Sequence, residues 1–103
     1  MSVLLEFAMF PTDKGESVSE YVSKVIEMIR NSGVPYKLTA MGTIIETETL
    51  AEALDIVKNA YLILEPHSKR VYCSLKMDIR RDKSSRLEGK IRSIEDKIGR
   101  VSQ

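Results

Sequence analysis

The segment Arg70-Val-Tyr-Cys-Ser-Leu-Lys-Met-Asp-Ile-Arg80 alternates between polar and apolar side chains along its eleven residues. Successive side chains of a β-strand point to opposite faces of the sheet, so this alternation predicts one long strand with a single buried face. Such a strand is typical of an antiparallel sheet that helices cover on one side. The buried face is expected to carry Val71, Cys73, Leu75, Met77 and Ile79.

Three stripes of apolar residues at helical spacing surround this strand, and each begins at a capping box. The boxes are residues 17–20 (SVSE), 49–52 (TLAE) and 85–88 (SRLE). In each box we expect the Ser or Thr hydroxyl to accept the backbone N–H three residues further on. The third stripe is narrow, which suits a helix docked on a sheet edge or on another subunit. The stripes contain, in chain order, Val18, Val22, Val25, Ile26 and Ile29; Leu50, Ala53, Leu54, Val57, Tyr61 and Leu64; and Leu87, Ile91, Ile94 and Ile98.

Three further segments, residues 2–10, 34–38 and 43–47, have the composition of strands. Pro35 places the second of them at a sheet edge, because proline cannot donate a hydrogen bond to an inner ladder. The order of elements predicts an α+β fold, a ferredoxin-like β-α-β-β-α-β antiparallel sheet with an additional C-terminal helix. With 103 residues, we expect a single domain that spans residues 1–103.

The second face of the predicted sheet has no helix assigned to it except the last one. A partly apolar surface of mixed polarity is what a subunit interface or a ligand pocket requires. We therefore expect the C-terminal helix or another copy of the chain to cover this face. It carries Leu4, Ala8 and Phe10 together with the charged residues Glu6, Lys76 and Asp78.

Composition and charge exclude several classes of protein. The chain is 43% hydrophobic and 30% charged, which is typical of a globular protein. The net charge of +1 gives no general attraction to nucleic acid, although residues 1–66 are net acidic and residues 67–103 net basic. The one cysteine, Cys73, excludes an intramolecular disulfide, and we expect a buried thiol in a reducing compartment. Glu6 interrupts the apolar N-terminal run, so we expect no signal peptide, no membrane partner and a cytoplasmic location.

The sequence offers little for catalysis or metal binding. His67 and Cys73 are the only residues of their types and cannot build the usual nitrogen and sulfur metal sites. With one histidine available as a base, we do not expect nucleophilic catalysis. A small enzyme that uses strand carboxylates is the alternative left open. RNA binding would need aromatic residues on the open sheet face, where only Phe10 and Tyr72 are expected, so we expect no nucleic-acid partner.

Several segments, in chain order, resemble the YkoF-like thiamine-binding family. The most specific of them is Met41-Gly-Thr-Ile-Ile-Glu46. The chain differs from the common family pattern in having a single glycine, Gly15, in its first turn and Thr47 after Glu46. The other matching segments are Pro11 with the turn leading to Ser17-Val-Ser19, Gly33-Val-Pro-Tyr36-Lys-Leu-Thr, Arg70-Val71 leading to Asp78-Ile-Arg80, and the helix Leu87 to Glu95.

The resemblance implies a ferredoxin-like subunit, dimers that associate into tetramers, and a pocket for thiamine or its pyrimidine moiety. It implies neither an enzyme nor a cofactor. Thiamine carries a permanent positive charge that favours carboxylates and aromatic faces, and its aminopyrimidine needs hydrogen-bond partners. The candidate residues for such a ligand are the carboxylates Glu46 and Asp78, with Glu6 third, the hydroxyls of Thr43, Ser17 and Ser19, and the rings of Tyr36 and Phe10.

We expect the ligand pocket near Thr43 and Glu46, completed by another subunit. Each candidate residue also has a structural alternative. Thr43 and Glu46 would then serve only a strand pair, Asp78 would pair only with a neighbouring basic residue, and Tyr36 would belong to the core. A second hypothesis is a structural or regulatory module whose open sheet face serves assembly alone, without a small ligand.

Overall fold

The computed structural model describes residues 1–103 and contains one four-stranded sheet and three α-helices. A short 3₁₀ turn, Glu65–His67, follows the second helix. The strands and helices are, in chain order, β1 (Ser2–Pro11), α1 (Ser19–Ser32), β2 (Tyr36–Leu38), β3 (Thr43–Thr47), α2 (Leu50–Leu64), β4 (Val71–Arg80) and α3 (Arg86–Ile98).

β1 lies inside the sheet, whose strand order is β2-β3-β1-β4. It pairs antiparallel with β3, where Val3 lies opposite Thr47, and with β4, where Ser2 lies opposite Arg80. β2 pairs antiparallel with β3 and forms an edge of the sheet, as Pro35 predicts. The predicted α+β, ferredoxin-like arrangement with a C-terminal helix is therefore confirmed.

The hydrophobic core lies between the sheet and helices α1 and α2. The odd-numbered side chains of β1 point into it, which follows from the alternation of a strand. Helix α1 contributes two buried residues and β3 contributes one. Burying one aliphatic or aromatic side chain contributes about 1.5–3 kcal/mol, so this layer supplies most of the stability of the fold. The buried residues of these three elements are Val3, Leu5, Phe7, Met9, Val25, Ile29 and Ile45.

Helix α2 turns a different face to the sheet than its apolar stripe predicts. Ala53 and Ala60 have short side chains, which allow the helix to pack closely on the sheet. The buried face of α2 is therefore shifted by about one residue from the predicted apolar stripe. Leu50, Leu54 and Tyr61, which the sequence assigned to the core, are therefore exposed. The buried residues of α2 are Ala53, Ile56, Ala60 and Leu64.

The apolar side of β4 points to the same face as the helices, but the helices do not cover it. Leu75, Met77 and Ile79 keep 41%, 40% and 44% of their surface exposed. Cys73 is exposed as well, so the expectation of a buried thiol is wrong. The physical reason is that β4 is an edge strand, and α1 and α2 pack mainly over β1 and β3.

Only one of the three predicted capping boxes forms. Thr49 accepts the backbone N–H of Glu52 at 3.2 Å and donates its hydroxyl hydrogen to the carboxylate of that residue. Helix α1 begins one residue later than the predicted cap requires, with Val18 at the N-cap position, so Ser17 caps nothing. Ser85 lies in the left-handed region, with φ of 56°, and its side chain makes no capping bond. A distant carboxylate caps α3 instead, as described below.

Helix α3 packs on the second face of the sheet, as one of the two expected alternatives. Leu87 and Ile91 of its narrow stripe are half-buried, whereas Ile94 and Ile98 are exposed. The helix therefore covers only part of this face and leaves Phe10 and Tyr72 in contact with each other beside it, with ring centroids 5.6 Å apart. None of the helices has the length and hydropathy needed to cross a membrane.

Candidate functional site

Five of the six residues predicted to bind a ligand lie in or beside two separate places, and the sixth, Tyr36, packs against the core. Thr43 and Glu46 are three positions apart on β3, so the alternation of the strand points their side chains to opposite faces. The chain therefore does not form the expected single pocket beside both residues. Thr43 lies on the face covered by α1 and α2, and Glu46 lies under α3 with Asp78.

The first place is a groove between the start of α1, the end of β1 and the turn between β2 and β3, which we call the hairpin groove. Its volume is about 290 Å³, and eleven of its fourteen lining residues are hydrophobic. An apolar cleft with few polar groups is the usual form of a small-molecule site. The lining residues are Phe7, Ala8, Met9, Phe10, Val18, Val22, Val25, Ile26, Leu38, Thr39, Ala40, Met41, Gly42 and Thr43.

Two threonines supply the side-chain hydroxyls of the hairpin groove. The hydroxyl oxygen of Thr39 accepts hydrogen bonds from the backbone N–H groups of Met41 and Gly42. The same hydroxyl donates to the Gly42 carbonyl, so Thr39 stabilises the turn. The hydroxyl of Thr43 is left free by these bonds and lies at the base of the hairpin. Thr43 is therefore the side chain best placed to give a hydrogen bond to a bound ring.

Gly42 explains why the turn can lie so close to β1. A Cβ atom at this position would lie 2.9 Å from the carbonyl oxygen of Phe7, closer than real side chains approach. A glycine is therefore required for the groove to keep its shape. Met41, the neighbouring residue, is 86% exposed at the rim, where its side chain can move over the opening.

Ser17 and Ser19 flank Val18 at the α1 end of the groove, and both are exposed. They are available to a ligand because neither caps the helix. Tyr36 is on the same face of the sheet, opposite Ile45, but it packs against the core and does not line the groove. Its position thus favours the alternative in which it is a core residue.

The second place is a cluster of Ser2, Glu46, Asp78 and Arg86, which we call the α3 clasp. Glu46 accepts the backbone N–H groups of Arg86 at 2.8 Å and Leu87 at 3.1 Å, as well as the Ser2 hydroxyl. Free N–H groups at the start of a helix need an acceptor, and a carboxylate also interacts favourably with the helix dipole. Glu46 is therefore the cap that the third capping box failed to provide.

Arg86 ties the clasp to the sheet and is 4% exposed. Its Nη2 donates to the main-chain carbonyls of Ser2 and Asp78, and its Nε donates to the Ser2 hydroxyl. Nη1 lies 3.0 Å from the Asp78 carboxylate as an ion pair, without the angle of a hydrogen bond. Lys90 donates to the same carboxylate at 2.7 Å. The basic partners of Asp78 are thus on α3, not on its own strand.

The two carboxylates of the clasp stay ionised. Partial burial raises the pKa of Glu46, but hydrogen bonds from Ser2 and from the backbone of Arg86 and Leu87 outweigh it, and the pKa lies below its ordinary value. The hydrogen bond from Lys90 and the close positive charge of Arg86 lower the pKa of Asp78. A general acid would need a raised pKa, so neither carboxylate is prepared for that role.

Sequence reasoning missed Arg86 and Ser2. A signal for them existed, because Glu46 and Asp78 both lie beside Leu4 on one sheet face, where two carboxylates need a cation. The sequence also missed an acidic pocket of about 400 Å³ next to the clasp, lined in part by Glu46, Glu48 and Glu52. Its carboxylates come from β3, the turn after it and the first turn of α2.

The chain matches known proteins over most of its length. The family model described as thiamine-binding protein matches residues 5–95. The UPF0045 protein of Methanothermobacter thermautotrophicus is 40% identical over 83 residues, which is 80% of this chain and 84% of that protein. The crystal structure of a hypothetical protein from Methanocaldococcus jannaschii is 38% identical, covers 92% of this chain and 97% of its own, and has a TM-score of 0.80.

A third comparison concerns the fold alone. A Thermotoga maritima protein, described as a candidate for thiamine biosynthesis or salvage, is 24% identical to this chain. Its structure covers 91% of this chain and 99% of its own, with a TM-score of 0.78. The same arrangement of strands and helices therefore persists at low sequence identity.

Proposed function

This chain belongs to the thiamine-binding protein family, and we therefore propose that it binds thiamine or the pyrimidine moiety of thiamine, without catalysing a reaction. The family match over residues 5–95 is the observation that carries this proposal. The hairpin groove is the site that we assign to the ligand, because it joins apolar walls to a free hydroxyl.

The shape of the groove suits the aminopyrimidine half of the ligand. Its volume of about 290 Å³ is at the small end of ligand sites, which accommodates one flat ring better than the whole of a larger molecule. Phe7 contributes aromatic surface, and Thr43 contributes a hydroxyl to the ring edge. Burying the neutral ring here leaves no charge without a partner.

The cationic thiazolium ring is better placed outside the groove. No carboxylate lines the groove, and a buried cation without a partner is strongly unfavourable. The start of α1 is acidic, with Glu20 in its first turn and Glu16 just before it. We propose that the thiazolium lies at this rim, within reach of the Ser17 and Ser19 hydroxyls.

The α3 clasp takes no part in ligand binding in this proposal. Glu46 and Asp78 already bind Ser2, Arg86 and Lys90, and a ligand cation would have to replace those partners. The Arg86 guanidinium is buried, so a ligand that took Asp78 from it would leave a buried charge without that partner, which is unfavourable. We therefore assign these two carboxylates to the docking of α3.

Calorimetry with thiamine and with hydroxymethylpyrimidine tests the proposal. Ala40 and Ala51 are both exposed alanines, but only Ala40 lines the groove. We expect Ala40→Phe to fill the groove and weaken binding of both ligands at least tenfold, and Ala51→Phe to bind them like the unmodified chain. The absence of heat and of any thermal shift with either ligand would refute the binding proposal itself.

A second variant tests which of the two pockets binds the ligand. Glu48 lines the acidic pocket and not the hairpin groove. If Glu48→Gln weakens thiamine binding while Ala40→Phe leaves it unchanged, the ligand lies in the acidic pocket and the assignment to the groove is wrong. The structural or regulatory module without a ligand remains the second candidate, and the exposed apolar residues of β4 favour it.

The proposal includes self-association and a cytoplasmic location. Dimers or tetramers would cover the exposed apolar residues on β4 and α3. Cys73 is an exposed free thiol, which is compatible with a reducing compartment. These parts of the proposal do not depend on which pocket holds the ligand.

A further inference from the structure

Two of the five methionines of the chain line the hairpin groove, and they differ in exposure. Met9 lies in the groove wall and is 7% exposed, whereas Met41 at the rim is 86% exposed. Met1 and Met77, the next most exposed methionines, reach 50% and 40%. A dissolved oxidant reaches a thioether only where the side chain is exposed, so Met41 is the methionine most open to oxidation.

The backbone that carries Met41 is held in place independently of its side chain. The backbone N–H of Thr39 donates to the Gly42 carbonyl at 2.8 Å, and the N–H of Met41 donates to the Thr39 hydroxyl at 3.2 Å. Gly42 lies against the carbonyl of Phe7. The Met41 side chain takes no part in these contacts, so a change in its chemistry alters the rim of the groove without unfolding the hairpin.

We propose that Met41 is a modification site, at which oxidation of the thioether to a sulfoxide weakens ligand binding and reduction restores it. The inference rests on the proposed function, because the groove must hold the ligand for its rim to control binding. It adds regulation to that function, since occupancy of the groove falls when peroxide is present.

The reaction needs a hydroperoxide, and hydrogen peroxide is sufficient. The sulfur lone pair attacks one peroxide oxygen, the O–O bond breaks, and that oxygen stays on the sulfur. The second oxygen takes the proton of the first and leaves as water. The sulfur is thus oxidised by two electrons, and the peroxide is reduced by two. Methionine sulfoxide reductases reverse the step with two thiols, which become a disulfide while the oxygen leaves as water.

Oxidation replaces an apolar group at the rim with a strong hydrogen-bond acceptor. Eleven of the fourteen residues that line the groove are hydrophobic, and its side-chain hydroxyls come from Thr39 and Thr43. Thr39 already donates its hydroxyl hydrogen to the Gly42 carbonyl, so Thr43 is the remaining side-chain donor. A sulfoxide folded over the groove would be unpaired or would take the Thr43 hydrogen bond from the ligand. A sulfoxide that stays in water leaves the bound ring uncovered, so both positions weaken binding.

Cys73 must be removed to test Met41 alone, because its exposed thiol also reacts with peroxide. It lies opposite Met9 in the register of β1 and β4 but does not line the groove. All measurements therefore use the full chain with Cys73→Ser. Met77→Leu in this background is the matched control, since Met77 is an exposed methionine outside the groove.

Peptide mass spectrometry after limited treatment with hydrogen peroxide tests the modification. We expect Met41 to gain an oxygen atom first and Met9 last. Saturating hydroxymethylpyrimidine should slow the oxidation of Met41 and leave the rate at Met77 unchanged. Oxidation of Met41 no faster than that of the half-buried Met28 would overturn the assignment of the site.

Calorimetry before and after peroxide treatment tests the effect on binding. We expect oxidation to weaken the binding of hydroxymethylpyrimidine at least about threefold, since a polar group is placed at an apolar rim. Met77→Leu should show the same loss, and treatment with the sulfoxide reductases should reverse it. Met41→Leu, which is apolar and has no thioether, should bind equally before and after peroxide. Met41→Gln, with a polar side chain of similar length, should bind more weakly than the parent chain without any peroxide.

The two proposals fail in different ways. If the untreated chain binds neither thiamine nor hydroxymethylpyrimidine, the proposed function is refuted and this inference with it. If the untreated chain binds and the chain oxidised at Met41 binds equally well, the inference alone is overturned. An equal loss in Met41→Leu after peroxide would also overturn it, because the effect would then come from another residue.

Discussion

Replacing Glu46 is expected to loosen α3 and to lower the free energy of unfolding. Its carboxylate accepts three hydrogen bonds, from the Ser2 hydroxyl and from the N–H groups of Arg86 and Leu87. Hydrogen bonds to a charged group contribute about 1.5–3 kcal/mol each and are not additive within one network. Glu46→Gln keeps an acceptor oxygen and should cost about 2 kcal/mol. Glu46→Ala removes the acceptor altogether and leaves the Ser2 hydroxyl and two N–H groups without it, which should cost about 3–4 kcal/mol.

The effect of Glu46 on stability depends on pH in a direction that the structure determines. The pKa of Glu46 is lowered in the folded chain from its ordinary value of 4.5. The folded state therefore binds fewer protons than the unfolded state between the two pKa values, and stability rises with pH there. The advantage of the unmodified chain over Glu46→Gln should be complete above the ordinary value and shrink as pH falls through the lowered pKa.

Urea denaturation followed by circular dichroism, at neutral pH and at several acidic pH values, measures both effects. Glu48→Gln is the matched control, because Glu48 is an exposed neighbour on the same segment. Hydrogen exchange should also be faster in the first turn of α3 for Glu46→Gln, while β1 is unchanged. If the two variants have the same stability within about 0.5 kcal/mol, Glu46 does not hold α3 and the assignment is wrong.

Two further predictions concern the hairpin and the helix caps. Gly42→Ala should cost about 1–3 kcal/mol in urea denaturation, because the new Cβ meets the Phe7 carbonyl, whereas Gly89→Ala in open space within α3 should cost nothing or stabilise the chain. Equal changes for the two glycines would contradict the close approach at the hairpin. Thr49→Ala should cost about 1 kcal/mol through the lost cap, and Ser17→Ala should change stability by less than about 0.5 kcal/mol. A similar cost for both would mean that Ser17 caps α1 after all.

The alternation of side chains predicted the strands well, because a strand places successive side chains on opposite faces of the sheet. Alternation tells which face a residue is on, but not whether anything covers that face. Cys73 and Leu75 lie on the predicted face and are exposed, because the width of the helix layer is a property of the whole fold. Similarly, the pattern of α2 contained two possible stripes, and only packing against the sheet selects the one with Ala53 and Ala60.

The helix caps also show that contacts between near neighbours in sequence can be predicted and contacts between distant residues cannot. Thr49 and Glu52 are three residues apart, and their bonds form as their spacing predicts. Ser85 is also three residues before an acidic residue, but its side chain does not cap α3. Glu46, about forty positions earlier in the chain, accepts the N–H group of Arg86 instead. No local pattern contains that contact.

The candidate site was partly within reach of the sequence. The hairpin at Met41 and Thr43 was predicted and forms a wall of the groove. The odd spacing between Thr43 and Glu46 already placed them on opposite faces of a strand, so their separation could have been predicted. The part of the groove lining that comes from α1 could not have been predicted, because the helical spacing of Val18 and Val22 is the same as that of core residues.

The central position of β1 determines when this chain can fold. β1 is synthesised before the other strands of this sheet, yet it lies between β3 and β4, and its partners in β4 are residues 71–80. Until those residues emerge, one edge of β1 and its bulky apolar side chains have no permanent neighbour and are open to misassembly. The α3 clasp closes later still, since Arg86 reaches back across 84 positions to Ser2. Residues 71–80 must therefore be synthesised before the sheet is closed, and a chain that stops before residue 71 lacks the strand that closes it.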